Sequence, residues 1–199
     1  MMIKRRILWG LVVCGGVVFG AGCNKTTQTN ANYEKAINNF YKGHPACLWP
    51  EAKKFPVQAA TSDESKTEGY DALTDSGLLA RTTAEKKVFI VASKQVNNYD
   101  ISDKGRSVWT QDPTQPGYGN FCYGHREVTS IDSSTPANPP SGGRAVEVNY
   151  HYKLVDVAPW ANSQEMKTAF PDLNTALSGP QAANATVVLN GDDWDVVEK

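Results

Sequence analysis

Alternation of apolar and polar residues within residues 144–157 is the clearest pattern in the chain. Successive side chains of an extended strand point to opposite faces, so the alternation predicts a strand with one buried and one solvated face. The predicted buried face carries Val146, Val148, Tyr150, Tyr152 and Leu154, and the other face carries Glu147, Asn149, His151 and Lys153. Residues 118–133 are also strand-like, and the proline- and glycine-rich loop 134–143 between the two stretches predicts a long hairpin.

The C-terminal residues predict a second hairpin, preceded by a helix. Residues 185–198 have the pattern of two strands joined at an Asn-Gly dipeptide (residues 190–191), which is typical of hairpin turns. Upstream, Asn162 and Glu165 have the spacing of a capping box, which predicts a helix start. Pro171 is predicted to begin a fresh helical turn, because proline is tolerated at the first position of a helix.

Helical spacing dominates the N-terminal part of the chain. Residues 32–43 carry apolar side chains at helical intervals and end in a glycine, as helices often do. Residues 61–79 predict a second helix, beginning with a capping box at Thr61 and Glu64. Residues 87–96 are predicted to form one strand buried on both faces. The predicted fold class is therefore α+β: a helical N-terminal part followed by an antiparallel sheet with a packed helix.

The beginning of the chain has the layout of a secretory signal. Three cations precede an apolar stretch over residues 7–19, and small residues then lead to Cys23. This is the order of a cleaved signal peptide. The apolar stretch is too short and too rich in glycine for a transmembrane helix. Residues 24–30 that follow are polar and form a tether.

The sequence Gly20-Ala21-Gly22-Cys23 resembles the lipobox of bacterial lipoproteins, with Gly20 where that family usually carries a leucine-like residue. The resemblance implies that Cys23 is lipidated and becomes the mature N-terminus. It divides the chain into a signal peptide (1–22), a lipidated cysteine with its tether (23–30) and a single α+β domain (31–199). The implied location is the cell envelope, lipid-anchored and extracytoplasmic, on the periplasmic side in a Gram-negative cell. Plain secretion and an uncleaved N-terminal anchor are the alternatives.

Net charge argues against a polyanionic partner. The chain has 20 Lys and Arg against 21 Asp and Glu. Cleavage before Cys23 removes Lys4, Arg5 and Arg6 and no acid, which leaves 17 basic against 21 acidic residues and a formal net charge of −4. A net acidic chain repels phosphate backbones, so no nucleic-acid partner is predicted.

A second, local resemblance falls within residues 73–105. The residues that carry it are Leu73, Gly77, Leu78, Tyr99, Ser102 and Gly105. Their order is a helix ending in leucine and glycine, a strand, and then tyrosine, serine and glycine, which resembles the wing half of a winged-helix module. That resemblance implies DNA binding, which conflicts with an extracytoplasmic address and an acidic chain. The alternative is an ordinary helix–strand–turn segment.

Two cysteines remain for the folded part, because Cys14 leaves with the signal and Cys23 takes the lipid. Outside the cytoplasm, the pair of Cys47 and Cys122 is most simply a disulfide, which we predict. The alternatives are two free thiols and a tetrahedral zinc site of two nitrogens and two sulfurs. The four zinc ligands would be His44, Cys47, Cys122 and His125. No cofactor is predicted.

Familiar catalytic motifs are absent from the sequence, which has no G-x-S-x-G, H-E-x-x-H, P-loop or G-x-G-x-x-G pattern. His151 shares its predicted face with other polar side chains, which indicates an ordinary solvated sheet surface. The tryptophans expected to serve the core, rather than a carbohydrate platform, are Trp49, Trp109, Trp160 and Trp194.

We therefore expect an envelope lipoprotein that acts as a non-enzymatic binding or assembly accessory through a surface groove. Its expected partners are the membrane, through the lipid anchor, and an envelope protein or polysaccharide. The alternative function is an envelope hydrolase with no readable motif.

Cys23→Ala is expected to leave the precursor unprocessed or to release the protein from the membrane, because the lipobox cysteine carries the lipid. Metabolic labelling with a radioactive fatty acid, followed by membrane fractionation, measures both effects. Cys14→Ala is the control, since Cys14 lies within the signal and its loss should leave labelling unchanged. A wild-type protein that takes up no label would contradict the anchor.

Overall fold

Antiparallel strands make up most of the structure, a computed structural model that describes residues 25–89, 92–138 and 143–197. The larger sheet curls into a half-barrel. Its strands, in spatial order, are β1 (Ala46–Cys47), β7 (Tyr118–Ala137), β8 (Ala145–Val155), β9 (Gln181–Asn190) and β10 (Asp193–Val196). Two short strands also pair with β7: β2 (Lys53–Lys54) and β6 (Trp109–Gln111).

A second, smaller sheet has three strands. In spatial order they are β3 (Val57–Ala60), β5 (Ala92–Ile101) and β4 (Leu79–Phe89). The helices of the described residues are α1 (Asn30–Gly43), α2 (Glu64–Asp75), α3 (Asp103–Arg106), α4 (Gln164–Ala169) and α5 (Pro171–Leu177), and a 3-10 turn at Pro159–Asn162 precedes α4. None of these helices combines the length and the apolar character that a membrane span requires.

The predicted α+β fold class, with its helical N-terminal part, is wrong. The fold is mostly antiparallel β with short helices, and its N-terminal part contains the small sheet, over residues 57–101. β4 shows no apolar alternation, and residues 80–87 within it are all exposed. Its strand conformation comes from pairing with β5, which runs from Leu79 opposite Ile101 to Phe89 opposite Ala92. Such backbone pairing leaves no periodicity in the sequence.

The single strand predicted at residues 87–96 is also wrong. β4 ends at Phe89 and β5 begins at Ala92, and the two pair antiparallel, so the apolar run is divided between two strands. Ile90 and Val91 lie outside the described residues. A short apolar run has the same composition in one buried strand and in two strand ends, so periodicity does not separate the two cases.

The long hairpin of β7 and β8 is confirmed, together with the predicted register of β8. Tyr150 and Tyr152 are buried, whereas Glu147 and Asn149 are exposed and His151 is partly exposed. The C-terminal hairpin of β9 and β10 is confirmed as well. Clean alternation with one apolar face thus identified both the strand and its orientation, because a shift of one residue would bury the polar set.

The loop predicted at residues 134–143 is shorter in the structure. β7 continues to Ala137, which pairs with Ala145 of β8. Pro136 lies within this part of β7, although proline has no backbone N–H. It is tolerated because β1, β2 and β6 pair with the first half of β7 and no described strand pairs with the other edge at Pro136.

Two predicted capping boxes are displaced. α2 begins after Asp63 rather than Thr61, and α4 begins after Ser163 rather than Asn162. The hydroxyl of Ser163 accepts a hydrogen bond from the Met166 N–H at 3.2 Å. Sequence places a cap only to within a residue or two here, because neighbouring polar side chains are suited to the same role. The helix start predicted at Pro171 is confirmed, because α5 begins at that residue.

α1 covers the large sheet and forms the first core with it. Its buried residues Tyr33, Ala36 and Ile37 lie on one face, at helical spacing. Tyr33 meets the ring of Trp194 edge to face, with 5.1 Å between the ring centroids. Each large apolar side chain buried in this way stabilises the fold by roughly 1.5–3 kcal/mol. The sheet residues buried in the same cluster include Val146, Val148, Tyr150 and Val187.

The second core joins the small sheet, α2 and the α4–α5 segment to the first half of β7. Leu73, Leu78 and Tyr99 are fully buried in it. Gly105 belongs to the same packing, because a methyl group there would collide with the carbonyl oxygen of Leu78. These four residues of the winged-helix-like pattern therefore have packing roles.

The predicted disulfide between Cys47 and Cys122 is confirmed. The two cysteines are register partners across β1 and β7, so the bond joins directly paired residues. Beside it, the Leu48 N–H donates a hydrogen bond to the Phe121 carbonyl at 3.1 Å. The disulfide thereby fastens the segment after α1 to the start of the long hairpin, across a sequence separation of 75 residues.

Three tyrosines and an arginine pack together where α1 crosses the long hairpin. The hydroxyls of Tyr41 and Tyr150 share a hydrogen bond of 2.9 Å, and Arg126 donates to Tyr41 at 3.1 Å. The guanidinium of Arg126 also lies over the ring of Tyr152, 4.7 Å from its centroid. Burial, and then the hydrogen bond with Tyr41, raises the pKa of Tyr150. The Tyr150 phenol therefore stays protonated in the folded protein at a pH where an unfolded tyrosine ionises.

Cys47→Ser is expected to lower the free energy of unfolding by about 2–5 kcal/mol, because the disulfide closes a long loop in the unfolded chain. Guanidinium denaturation of oxidised wild type, reduced wild type and the variant measures the change. Cys122→Ser and the double variant should lose the same amount, since each removes one and the same bond. A reduced wild type as stable as the oxidised one would contradict this role.

Stability is also expected to fall as the pH rises above about 10, the ordinary pKa of tyrosine. Above that pH the unfolded chain binds fewer protons than the folded chain, so the free energy of unfolding decreases. Burial raises the pKa of Tyr33 and Tyr123 too, which adds to the effect. Denaturant unfolding at about pH 9 and about pH 11 measures it, and Tyr150→Phe should show the shallower dependence on pH. Equal stability of the wild type at both values would contradict the expectation.

Candidate functional site

A groove of about 620 Å³ lies where the small sheet, α2 and the α4–α5 junction meet. One wall is β3, through residues 57–59, and the other is the first half of α2, through residues 65–70. Trp49, Tyr70 and Phe170 supply aromatic surface to it, and each of these side chains is partly exposed. We call this cavity the aromatic groove. Its volume is within the range of small-ligand sites in proteins.

Gly69 allows the two helical segments to meet at the groove. A methyl group on Gly69 would lie 3.1 Å from Cζ of Phe170, so any larger residue would push that ring away from α2. Glycine inside a helix costs roughly 0.5–1 kcal/mol relative to alanine, and here it permits close packing. This isolated glycine in a predicted helix is the one sequence signal that could have pointed to the groove.

Trp49 is the centre of the aromatic surface. Its ring centroid lies 6.2 Å from that of Phe170 and 6.5 Å from that of Tyr70. The side chain of Asn120 holds the backbone of Trp49 in place: its amide donates to the Trp49 carbonyl at 2.7 Å, and its oxygen accepts from the Trp49 N–H at 3.3 Å. The expectation that the tryptophans serve the core holds fully for Trp194, whereas Trp49 packs on the second core and also faces the groove.

The rim of the groove carries charged and hydrogen-bonding side chains. Lys66 donates to the Asp63 carboxylate at 2.6 Å, and this hydrogen bond lowers the pKa of Asp63. Lys53 also lines the groove and has no carboxylate partner among the described residues. Burial raises the pKa of Tyr70, so its phenol remains neutral. The groove thus combines apolar rings with one paired cation, one unpaired cation and the carboxylate of Glu68.

Asp71 holds α2 against the small sheet and so keeps the groove wall in position. Its carboxylate accepts from Arg81 at 2.6 Å and from the Tyr99 hydroxyl at 2.8 Å. The side-chain amide of Asn97 donates to the same hydroxyl at 3.1 Å. Burial, followed by the hydrogen bond to Asp71, raises the pKa of Tyr99. A network of this kind, satisfied at each buried member, orients an element more sharply than apolar contact does.

The zinc alternative is overturned, because both cysteine sulfurs are used in the disulfide. His44 instead donates from Nδ1 to the Phe40 carbonyl at 2.7 Å and stacks on the Phe40 ring. His125 lies 3.5 Å from the Asp156 carboxylate. Within the described part of the chain, no group of three or more His, Cys, Asp or Glu side chains is arranged to hold a metal ion. Cys23, the predicted lipidation site, lies outside that part.

His151 lies on the outer face of β8, where the sequence predicts it. Its Nδ1 is 2.7 Å from the Asp132 carboxylate, and Ser130 is its register partner on β7. These are the residue types of a hydrolase triad, in which the serine hydroxyl donates to the histidine. Ser130 donates to Asp132 instead, at 3.3 Å. Neither His151 nor His125 lines the aromatic groove.

Comparison of the chain with protein-family models, with curated proteins and with solved structures finds no match.

Proposed function

We propose that the protein is a lipid-anchored protein of the cell envelope and acts as a non-enzymatic binding or assembly accessory. The observation that carries the proposal is the aromatic groove. Three aromatic side chains border a cavity of ligand size, with hydrogen-bonding and charged groups around them. Apolar surface left open beside a few directed polar groups is typical of binding sites.

The position of Lys25 supports a membrane-facing end of the molecule. Its ammonium group lies 3.9 Å from the Asp193 carboxylate of β10, so this part of the tether lies beside the last hairpin. Two residues of extended chain span at most about 7 Å. A lipid on Cys23 would therefore hold the β9–β10 hairpin close to the bilayer. The groove is built from β3, α2 and the α4–α5 junction, none of which belongs to that hairpin.

The geometry supports the alternative function, a hydrolase, less well than it supports a binding protein. The His151–Asp132 pair lies on an open sheet face, with both side chains more than two-fifths exposed. Its neighbouring serine bonds to the carboxylate and not to the imidazole. A serine in that position gains no activation from the histidine. Binding through the groove needs no such rearrangement.

Ser65→Trp is expected to abolish capture of the protein's envelope partners, because Ser65 is an exposed residue of α2 that lines the groove. The indole would fill the groove without entering the core. Affinity capture with the full-length lipidated protein from envelope extracts, followed by mass spectrometry, compares the variant with wild type. Ser107→Trp is the matched control, the same change at an exposed serine outside the groove. Identical captured sets from all three proteins would count against a role for the groove.

A further inference from the structure

We propose that the aromatic groove receives an extended peptide segment of a second envelope protein, which adds to the small sheet as a strand beside β3. This proposal deepens the proposed function and rests on it, since it names the class of partner that the groove takes. Three features of the groove support it: an open strand edge, a cavity that runs along this edge, and a helix with aromatic side chains opposite.

The open edge belongs to β3. It pairs with β5 on one side, and no described strand pairs with its other side. The Thr61 N–H donates to the Gln95 carbonyl at 3.2 Å, so Thr61 faces β5. Because backbone groups alternate along a strand, Ala59 faces β5 as well, and the N–H and C=O of Gln58 face away from it. Gln58 thus offers one donor and one acceptor to an additional strand.

The groove runs along this edge rather than over one face of the sheet. The Gln58 side chain donates to Asn98 at 2.7 Å and accepts from Lys86 at 2.9 Å, which places it on the outer face of the sheet. The side chain of Ala59 is buried in the second core, on the other face. The groove contacts both residues. A cavity that touches neighbours pointing to opposite faces must follow the backbone edge between them.

The opposite wall suits an extended peptide. Ser65, Glu68 and Gly69 follow one another at helical spacing on the face of α2 that lines the groove. A peptide between a strand edge and a helix gains affinity from backbone hydrogen bonds and selectivity from the pockets that its alternate side chains meet. The aromatic rings of Trp49 and Phe170 would receive an apolar side chain of the peptide.

The charged side chains at the rim of the groove indicate which residues the peptide should carry. Lys66 is already paired with Asp63, whereas Lys53 has no carboxylate partner among the described residues. An acidic side chain in the peptide would therefore be complementary to Lys53 where it lies away from the Glu68 carboxylate, which also lines the groove. A glycan would also stack on the aromatic rings, but it has no regular ladder of donors and acceptors for the outward N–H and C=O of Gln58. An extended peptide can contact the aromatic rings, form backbone hydrogen bonds with Gln58 and place a carboxylate beside Lys53.

The test uses a positional-scanning library of acetylated, amidated hexapeptides and the full-length, disulfide-bonded protein, with binding followed by fluorescence anisotropy. We expect preferred peptides to combine apolar and acidic residues in alternation. The best binder is then synthesised with single backbone N-methyl groups. Methylation should weaken binding about tenfold at the one position whose N–H pairs with the Gln58 carbonyl and leave the two adjacent positions unaffected, because neighbouring N–H groups point away from β3. Ser65→Trp should not bind, and Ser107→Trp should bind as wild type does.

Failure of all hexapeptides to bind would overturn the proposal that the groove takes a peptide. So would an N-methyl effect that is absent or equal at adjacent positions, and so would full binding by Ser65→Trp. Chitotetraose is the second probe. Binding of chitotetraose to wild type but not to Ser65→Trp, while no hexapeptide binds, would overturn the peptide proposal. This result would leave the groove as a binding site for another ligand. The proposed function fails separately, when capture of envelope partners is the same with Ser65→Trp as with wild type.

Discussion

The bond between Cys47 and Cys122 is the constraint on which the second core and the aromatic groove both depend. It joins the two-residue strand β1 to β7, and a strand of that length makes too few backbone hydrogen bonds to hold itself there. The disulfide also fixes the position of the residues that follow Cys47. Trp49 therefore lies beside the side chain of Asn120 and exchanges two hydrogen bonds with it. An oxidising compartment is what allows such a link to persist.

From Trp49 outward, the packing is largely a matter of aromatic rings. Its ring contacts Phe55, Tyr70, Phe121 and Phe170, which come from four separate segments of the chain. Ring pairs of this kind contribute about 0.5–1.5 kcal/mol each beyond the burial of their area. The cluster therefore holds the small sheet, α2 and the α4–α5 junction in fixed positions around the groove. Rigid walls favour binding, because less conformational freedom is lost when a partner enters.

Prediction from the sequence was reliable where one face of an element is apolar. α1 and β8 are examples, because the apolar residues of α1 recur at helical spacing and those of β8 at alternate positions, and these residues are the buried ones. The disulfide also followed from the sequence, through the count of cysteines left after the signal and the lipid site. β4 was not predicted, for the opposite reason. Its residues 80–87 are exposed on both faces, and its pairing with β5 leaves no local pattern in the sequence. The position of the groove was not predicted from the sequence either, because only Gly69 pointed to it.

What the sequence determined by itself is therefore local: the strands and helices with an apolar face, the paired cysteines, and the expectation of an envelope address. The tertiary structure alone decided that the middle of the chain forms a second sheet and that Trp49, Tyr70 and Phe170 come together. It also left one edge of β3 open beside α2. The physical reason is that periodicity records how a residue meets solvent, whereas strand pairing and groove formation depend on which distant segments meet each other.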